Sequence, residues 1–403
     1  GAHRDLHSFP TRRSSDLNWK STHPHYAIFH RDLPAIAHDE APHVFYWRSS
    51  PYSPNFEHPN DPTVGDQHPW TVTLQTPGGS EWWDYRTFVD RFPNEGGVLG
   101  SSPITTLKQF LPEDERSLYS PSWVHHDNPY ATMDSIPGAP GHAYQTVTLW
   151  TGRDPRDMTI EDYAFTSGLL QADGLREYIS NFRRRMFSSA SAIFWMYNDS
   201  WPVTNGWTIV DYYLRKKLAF HPVRKAFQPV TVVVAEESEG VKVFGVNDSP
   251  DDWFGDLQYG FFTLEGELLI QGELNAKLPA LSSTVLGELS RAEWEELGTS
   301  RSGAFAVLMD EGRIVAQHRL FVERFKDLEF SEPQVTVIYA GGVATFSSPH
   351  FVWGVCLDDT GELAVPDNCF DLLPGIPYTL DWPAELGEPT IVAIGSRDAV
   401  KPA

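Results

Sequence analysis

The strongest constraint on this chain is a change of hydrophobic period near Gln228-Pro229. Before that point apolar residues recur at three and four: Tyr26, Phe29, Leu33 and Ile36, then Ile104, Leu107, Phe110 and Leu111. A long helix is expected from about Ile160 to Met186, with Tyr163, Leu170, Tyr178, Ile179 and Phe182 facing inward, and a final one over Tyr212 to Phe227. Short aromatic or β-branched stretches, His43 to Arg48, Gly65 to Val72 and Ala192 to Tyr197, lie between these helices and read as strands. Residues 18–227 therefore carry an α/β rhythm. Beyond Pro229 the period is two. Val230–Val234, Val241–Val246, Leu257–Phe262, Ala304–Met309 and Val315–Val322 predict a β-sandwich over 228–330. Val335–Ile338, His350–Val355, Tyr378–Asp381 and Thr390–Ile394 predict a second, smaller sandwich over 331–403.

Within the α/β region a single carboxylate stands out. In Arg91-Phe92-Pro93-Asn94-Glu95-Gly96-Gly97 the pattern of Tyr85, Phe88 and Phe92 predicts a helix that Pro93 ends, and the two glycines free the backbone just after the acid. A helix followed by a very short strand that ends in an acid is how a β/α barrel presents a catalytic group at its C-terminal mouth. Glu95 is thus the candidate reactive carboxylate; the competing reading of these seven residues alone is an exposed Glu on a surface turn.

A second stretch has the composition of a sugar site. Ala192-Ile193-Phe194-Trp195-Met196-Tyr197 is apolar throughout, as a strand buried on both faces should be, and it runs into Asn198-Asp199-Ser200-Trp201-Pro202. Aromatic faces stack on the C–H face of a pyranose, while amide and carboxylate groups take its hydroxyls. The competing reading is an Asx-turn that leaves the strand with its Trp residues in the core.

Composition narrows the ligand classes. The formal net charge of -23 leaves little to release counterions from phosphate, which argues against nucleic acid or an anionic membrane as partner and suits a neutral ligand. No run of about 18 apolar residues occurs. Two cysteines, Cys356 and Cys369, exclude a disulfide-rich scaffold or a four-cysteine zinc site, and whether they pair is left open. The sequons at Asn198 and Asn247 are discounted, the first lying in the expected pocket and the second being followed by Pro250. Compartment and oligomeric state are not legible.

The N-terminus stands apart from the rest. His7 to Leu17, written in codons, resembles a widely used short-read sequencing adapter, and Arg4-Asp5-Leu6 extends the match. Residues 1–17 are therefore expected to be non-native, and the biological sequence is expected to begin near Asn18.

Taken together, Phe92-Pro93-Asn94-Glu95-Gly96-Gly97 and Trp195 to Pro202 resemble glycoside hydrolase family 2, and within it the β-mannosidases. Tyr46-Trp47-Arg48-Ser49-Ser50-Pro51 and Gly65-Asp66-Gln67-His68-Pro69-Trp70 resemble that group's fifth and sixth barrel strands, and Asp367 to Gly375 its terminal sandwich. The resemblance implies the C-terminal half of a (β/α)8 TIM barrel followed by two immunoglobulin-like β-sandwich domains, no cofactor, and a β-mannoside or oligosaccharide substrate. It makes Glu95 the nucleophile of a retaining exo-glycosidase that removes terminal β-D-mannose, with His68, Trp70, Asn94, Trp195, Asn198, Asp199 and Trp201 around the sugar.

A retaining enzyme needs a second carboxyl group about 5 Å from the first. The family draws it from an Asn-Glu pair ending the fourth strand, and no such pair precedes Asn18; Asp39 and Glu40 end a helix on the wrong side. The expectation is a chain without its acid/base, inactive and poorly folded. The alternatives are the same chemistry on a β-galactoside or β-glucosaminide, and a non-catalytic carbohydrate-binding module that keeps the aromatic pocket and needs no nucleophile.

Overall fold

The structure is a computed structural model that describes residues 24–54, 58–73, 79–128, 142–238 and 240–400. The adapter-like stretch, with Asp5 and Asp16, and Asn18 lie outside the described residues.

The first helical run is present as Pro24–Ala27, a π turn at Ile28–Asp32, and Leu33–Glu40. Its apolar face is not covered, however, since Ile28, Leu33 and Ile36 are exposed. The expected strand over His43 to Arg48 forms no ladder among the described residues, and Phe45 is 81% exposed. A strand needs a neighbour for its backbone groups, and here Val44 N–H closes a turn on Ala41 O instead. Gly65 to Val72 likewise reduces to bridges: Asp66 pairs antiparallel with Tyr52, and Gln67 pairs parallel with Pro93.

The helix expected before Pro93 is also shorter. It is a 3-10 helix, Trp82–Thr87, and Phe88 to Pro93 continues in non-helical backbone. Pro93 instead enters the parallel bridge, and its missing N–H costs that bridge nothing, because Gln67 bonds to Phe92 O and Asn94 N–H. Three extended segments run side by side in parallel here. Gln67 N–H donates to Phe92 O and Asn94 N–H to Gln67 O; on the other side Ala190 N–H donates to Arg91 O, Ile193 N–H to Pro93 O, and Trp195 N–H to Gly96 O.

The long helix, Ile160–Arg184, is as expected. Thr159 caps it by accepting from Asp162 N–H, Glu161 and Asp162 oppose the positive end of its dipole, and Arg183 and Arg184 the negative end. Tyr163, Leu170, Tyr178, Ile179 and Phe182 are all buried. Ile104–Phe110 is helical too, joined by the short Pro121–His125 and by His142–Thr151. Between Tyr212 and Phe227 the helix is confined to Phe220–Ala226. The stretch before it is spent on turns, with Leu214 at φ 65° and Leu214 N–H bonded to Asp211 O.

Ladder pairing begins with β1 (Gly100–Ser101) and β2 (Asn205–Gly206), an antiparallel pair. The period-two region then gives β3 (Val230–Glu237), β4 (Gly240–Asn247), β5 (Trp253–Thr263), β6 (Leu268–Leu278), β7 (Ser282–Leu289), β8 (Ser302–Asp310) and β9 (Arg313–Leu320). Two sheets, ordered β3-β4-β7 and β6-β5-β8-β9, face each other across a core of Val232, Val234, Val241, Leu257, Phe261, Ala306 and Leu308. Strands β6 and β7 had no clear sequence signal. Their outward positions include Ile270, Leu274 and Val285, so apolar residues lie on both faces and blur the alternation.

The last region holds β10 (Thr336–Ala340), β11 (Val343–Ser347), β12 (Val352–Cys356), β13 (Phe370–Leu372), β14 (Tyr378–Asp381) and β15 (Ala393–Ile394), in sheets β10-β11-β14 and β13-β12-β15. Their shared core contains Ala344, Phe346, Val352, Val355, Phe370 and Tyr378.

One apolar cluster ties the regions together. Trp82 stacks on Trp150 at 3.6 Å, Trp150 approaches Phe325 at 5.8 Å, and Phe325 stacks on Trp353 at 3.9 Å. The long helix and both sheet pairs contribute side chains to it, so the helical region rests on the β regions through a continuous aromatic core.

Candidate active site

Glu95 follows Asn94 at the end of the central parallel segment, and its position is fixed by two close approaches. A Cβ on Gly96 would lie 2.5 Å from the Tyr178 ring, and one on Gly97 would lie 2.5 Å from Trp195 O. Neither contact leaves room for a side chain. The glycines are there for close packing of the long helix on one side and the neighbouring segment on the other, rather than for an unusual backbone conformation. The Tyr178 hydroxyl donates to Ile193 O at 2.7 Å and lies 3.4 Å from Glu95 O, which joins the helix to both segments.

The carboxylate is largely enclosed, its side chain 15% exposed. Trp70 Nε1 donates to Glu95 Oε2 at 3.1 Å, and His68 Nδ1 stands 3.3 Å from the same oxygen. Burial pushes the Glu95 carboxyl above its ordinary value, the Trp70 hydrogen bond works against that, and the nearby Asp66 charge adds to it. Trp70 is itself buried and packs on Trp207 at 5.7 Å.

Behind this trio lies a polar network. Ser50 Oγ is 2.8 Å from His68 Nε2 and donates to Asp66 Oδ2. Asn94 Nδ2 donates to Ser50 Oγ at 2.7 Å and to Asp66 Oδ2 at 2.8 Å. Asp66 Oδ1 accepts from Trp47 Nε1 at 2.7 Å and from Tyr52 N–H at 2.9 Å. Asn94 is thus spent on positioning its neighbours. Ser50 and Asp66 carry no signal of a role in the sequence, although both fall inside the stretches that support the resemblance.

The second stretch is not the fully buried strand that its composition suggested. Ala192 is buried, while Ile193, Trp195 and Tyr197 are exposed, an alternation set by one covered face. Trp195 meets the Glu95 segment through its backbone. Asn198 pairs in parallel with Val210, and its amide donates to Asp199 O at 3.3 Å. Asp199 is turned inward: it is buried, and its Oδ2 accepts from Thr208 Oγ1 at 2.8 Å. Burial raises its carboxyl, opposed by the Lys217 ammonium. Trp201 stacks on His126 at 4.5 Å and leaves 44% of its surface open, an aromatic platform of the kind a sugar ring can use.

A cleft of about 280 Å³ opens elsewhere, at the junction of the long helix and the two β regions, lined by Arg176, Lys225, His318, Arg319 and Tyr378; Glu95 and its neighbours take no part in it. Among the described residues no group of three or more His, Cys, Asp or Glu could hold a metal ion, and no helix is long and apolar enough to cross a membrane.

Comparison with known proteins bears on the family of the chain. Residues 239–327, which contain β4 to β9, match the family described as Mannosidase Ig/CBM-like domain. Beta-mannosidase B of Aspergillus terreus is 31% identical over 224 residues, which is 55% of this chain and 25% of that protein. Beta-mannosidase B of Thermothelomyces thermophilus is 26% identical across 90% of this chain and 45% of its own length. The crystal structure of the beta-D-mannosidase from Dictyoglomus thermophilum superposes with a TM-score of 0.76 at 25% identity, covering 88% of this chain and 42% of that one. The chain thus spans a quarter to under half the length of these relatives. The sequence and structural matches together make it a β-mannosidase-like protein of glycoside hydrolase family 2.

Proposed function

We propose that this chain carries the nucleophile side of a retaining exo-glycosidase that hydrolyses terminal non-reducing β-D-mannose residues by double displacement. The observation that carries the reading is Glu95 itself, a largely enclosed carboxylate at the end of a parallel extended segment, with one oxygen held by Trp70 and faced by His68. In the first displacement a free Glu95 oxygen attacks the anomeric carbon, the leaving oxygen departs with a proton, and water later releases the sugar. The Trp70 hydrogen bond steadies the carboxylate for attack. Trp195, Asn198 and Trp201, with His68 and Trp70, line the sugar's approach, while Asn94 supports it through Ser50 and Asp66 and Asp199 through Thr208.

The three parallel segments, the helices and the long connections among the described residues before Gln228 support the C-terminal half of a (β/α)8 barrel over 18–227. The facing sheets of 228–330 and 331–403 support two immunoglobulin-like sandwiches that brace it.

The proton for the leaving group is assigned to residues other than the described ones. Asp66, the carboxylate whose charge reaches Glu95, has both oxygens engaged by four donors and is not given that role. Loss of general acid catalysis costs about 100- to 10,000-fold, so the chain alone is expected to turn over an aryl β-mannoside at no appreciable rate. Appreciable turnover would refute that assignment. The nucleophile is tested separately: an activated 2-fluoro mannoside needs no acid, and once the upstream polypeptide is supplied, peptide mapping should find the sugar on Glu95. Labelling of another residue, or labelling that survives Glu95→Gln, would overturn the nucleophile.

A further inference from the structure

We propose that Cys356 and Cys369 form a redox pair, a modification site at which a small-molecule disulfide joins the two thiols into one intramolecular disulfide. Both are free thiols in the structure. Their neighbours hold the two backbones side by side. Strand β12 pairs antiparallel with β13 through Val355 and Phe370, and one step further along that register Cys369 stands opposite Cys356. Beyond the pair, Asn368 keeps the same two stretches together: its Oδ1 accepts from Leu357 N–H at 2.7 Å, and its Nδ2 donates to Asp358 O at 2.6 Å. On its other edge β12 pairs with β15, where Cys356 meets Ala393.

Residues directly opposed in an antiparallel pair have Cα atoms about 4.5–5.5 Å apart, and a disulfide spans about 4.4–6.8 Å. The side chains share this proximity, since the Cys356 thiol is a hydrogen-bonding neighbour of the Cys369 thiol. The backbone gives no reason for a cysteine at 369. Its φ is 56°, a left-handed conformation that glycine or asparagine adopts at less cost.

The two thiols differ in access. Cys356 is fully buried in the core shared with the long helix, whereas Cys369 is half-buried and lines the cleft of about 280 Å³ beside Arg176, Arg319 and Lys225. A reagent in the cleft therefore meets Cys369 first. Burial, and then the neighbouring Cys356, push the Cys369 thiol well above its ordinary value, so little thiolate is present at neutral pH and exchange is slow.

The chemistry balances without any other reactant. Cys369 loses its proton and its sulfur attacks one sulfur of the small disulfide; that S–S bond breaks, and one small thiol leaves with a proton. Cys356 then loses its proton and attacks the Cys369 sulfur, which expels the second small thiol. Two protein thiols are oxidised, one small disulfide is reduced to two thiols, and two electrons pass between them. The new bond fastens β12 to the stretch that carries Asp371, whose carboxylate accepts from Arg319 of β9 and from Gly354 N–H.

The test is made on the full chain, incubated at pH 8.5 with oxidised and reduced glutathione until its thiol content is constant, quenched with an alkylating agent and cut after glutamate. Glu362 lies between the two cysteines, so the reduced chain yields them on separate peptides and the oxidised chain yields those peptides joined. The expected result is the joined peptide, with an equilibrium constant for oxidation about tenfold or more above that of the chain unfolded in urea. Oxidation of Cys356→Ser should stop with glutathione on Cys369, while in Cys369→Ser the buried Cys356 should stay free. Two free thiols in the wild-type chain at equilibrium, disulfides only between chains, or equal constants with and without urea would each overturn the proposal. These wild-type measurements decide it even if the variants fail to fold.

Discussion

Arg86→Met tests whether the Glu95 segment is held in place from below. Arg86 sits on the 3-10 helix that leads to this segment, and its guanidinium makes two hydrogen bonds to Glu177 of the long helix, at 2.8 and 3.1 Å. Its third nitrogen donates to Phe321 O at 2.8 Å, just past β9. The side chains are 8% and 4% exposed, so the pair is shielded from screening by solvent. Burial alone would push the Glu177 carboxyl up; the Arg86 guanidinium, then Arg176, more than offset it and hold it down at about 2. The displacement from 4.5 corresponds to about 3 kcal/mol of stability. For a depressed carboxyl that stability is fully present above the unfolded value and is lost as pH falls through the folded one. It is therefore intact at pH 7, less than half remains at about pH 3, and little below 2.

Removing the arginine leaves a buried carboxylate short of its partner, for which about 3–5 kcal/mol is typical. Arg176 Nη2, 3.8 Å from Glu177, remains as a partial substitute, which places the expectation at the lower end. The assay is urea unfolding at pH 7 followed by tryptophan fluorescence, since Trp82 stacks on Trp150 within the core that this pair closes. The double variant Arg86→Met, Glu177→Leu should recover much of the loss, because neither charge is then buried alone. A loss below about 1 kcal/mol in the single variant, or a double variant no more stable than the single, would refute the reasoning.

Two further expectations follow from the same packing. Gly97→Ala should destabilise by about 1–3 kcal/mol, because its Cβ would meet a backbone oxygen at 2.5 Å and the Trp195 segment would have to move away from Glu95; an unchanged thermal midpoint would show that the two segments do not pack as described. His318 and His221 are pushed down to about 3, by burial first and then by Arg176 and Arg224 respectively. Below pH 6.5 the unfolded chain binds those protons and the folded chain does not, so stability should fall as pH drops from 6.5 towards 3, by up to about 5 kcal/mol per histidine. His318→Gln should flatten the slope of unfolding midpoint against pH over that window, and an unaltered slope would count against a buried neutral imidazole.

The division between what was legible and what was not is clearest at particular residues. Glu95, Trp70 and His68 could be singled out because their neighbours in sequence, Pro93, Gly96, Gly97 and Pro69, mark sharp local geometry. Their convergence on one oxygen could not be read, since it depends on two segments 25 residues apart lying in parallel register. Ser50, Asp66 and Trp47 look like ordinary loop and strand residues until the Tyr52–Asp66 bridge brings them beneath His68. Asp199 shows the opposite error. Beside two tryptophans it has the composition of a sugar ligand, yet its carboxylate is turned to Thr208 and buried.

The sequence by itself determined the hydrophobic period of each region and singled out one candidate carboxylate. The change from a period of 3.6 to a period of two is a local property of which side chains meet on one face, so the long helix, most of the strands and the acid before Gly96-Gly97 are encoded within short windows. Tertiary structure decided which of those windows are covered, which oxygens point at which hydrogens, and how the helical region is seated on the β regions through Trp150, Phe325 and Trp353. Those outcomes depend on contacts between residues far apart in the chain, where the environment of a carboxylate or an imidazole is set by its neighbours in space.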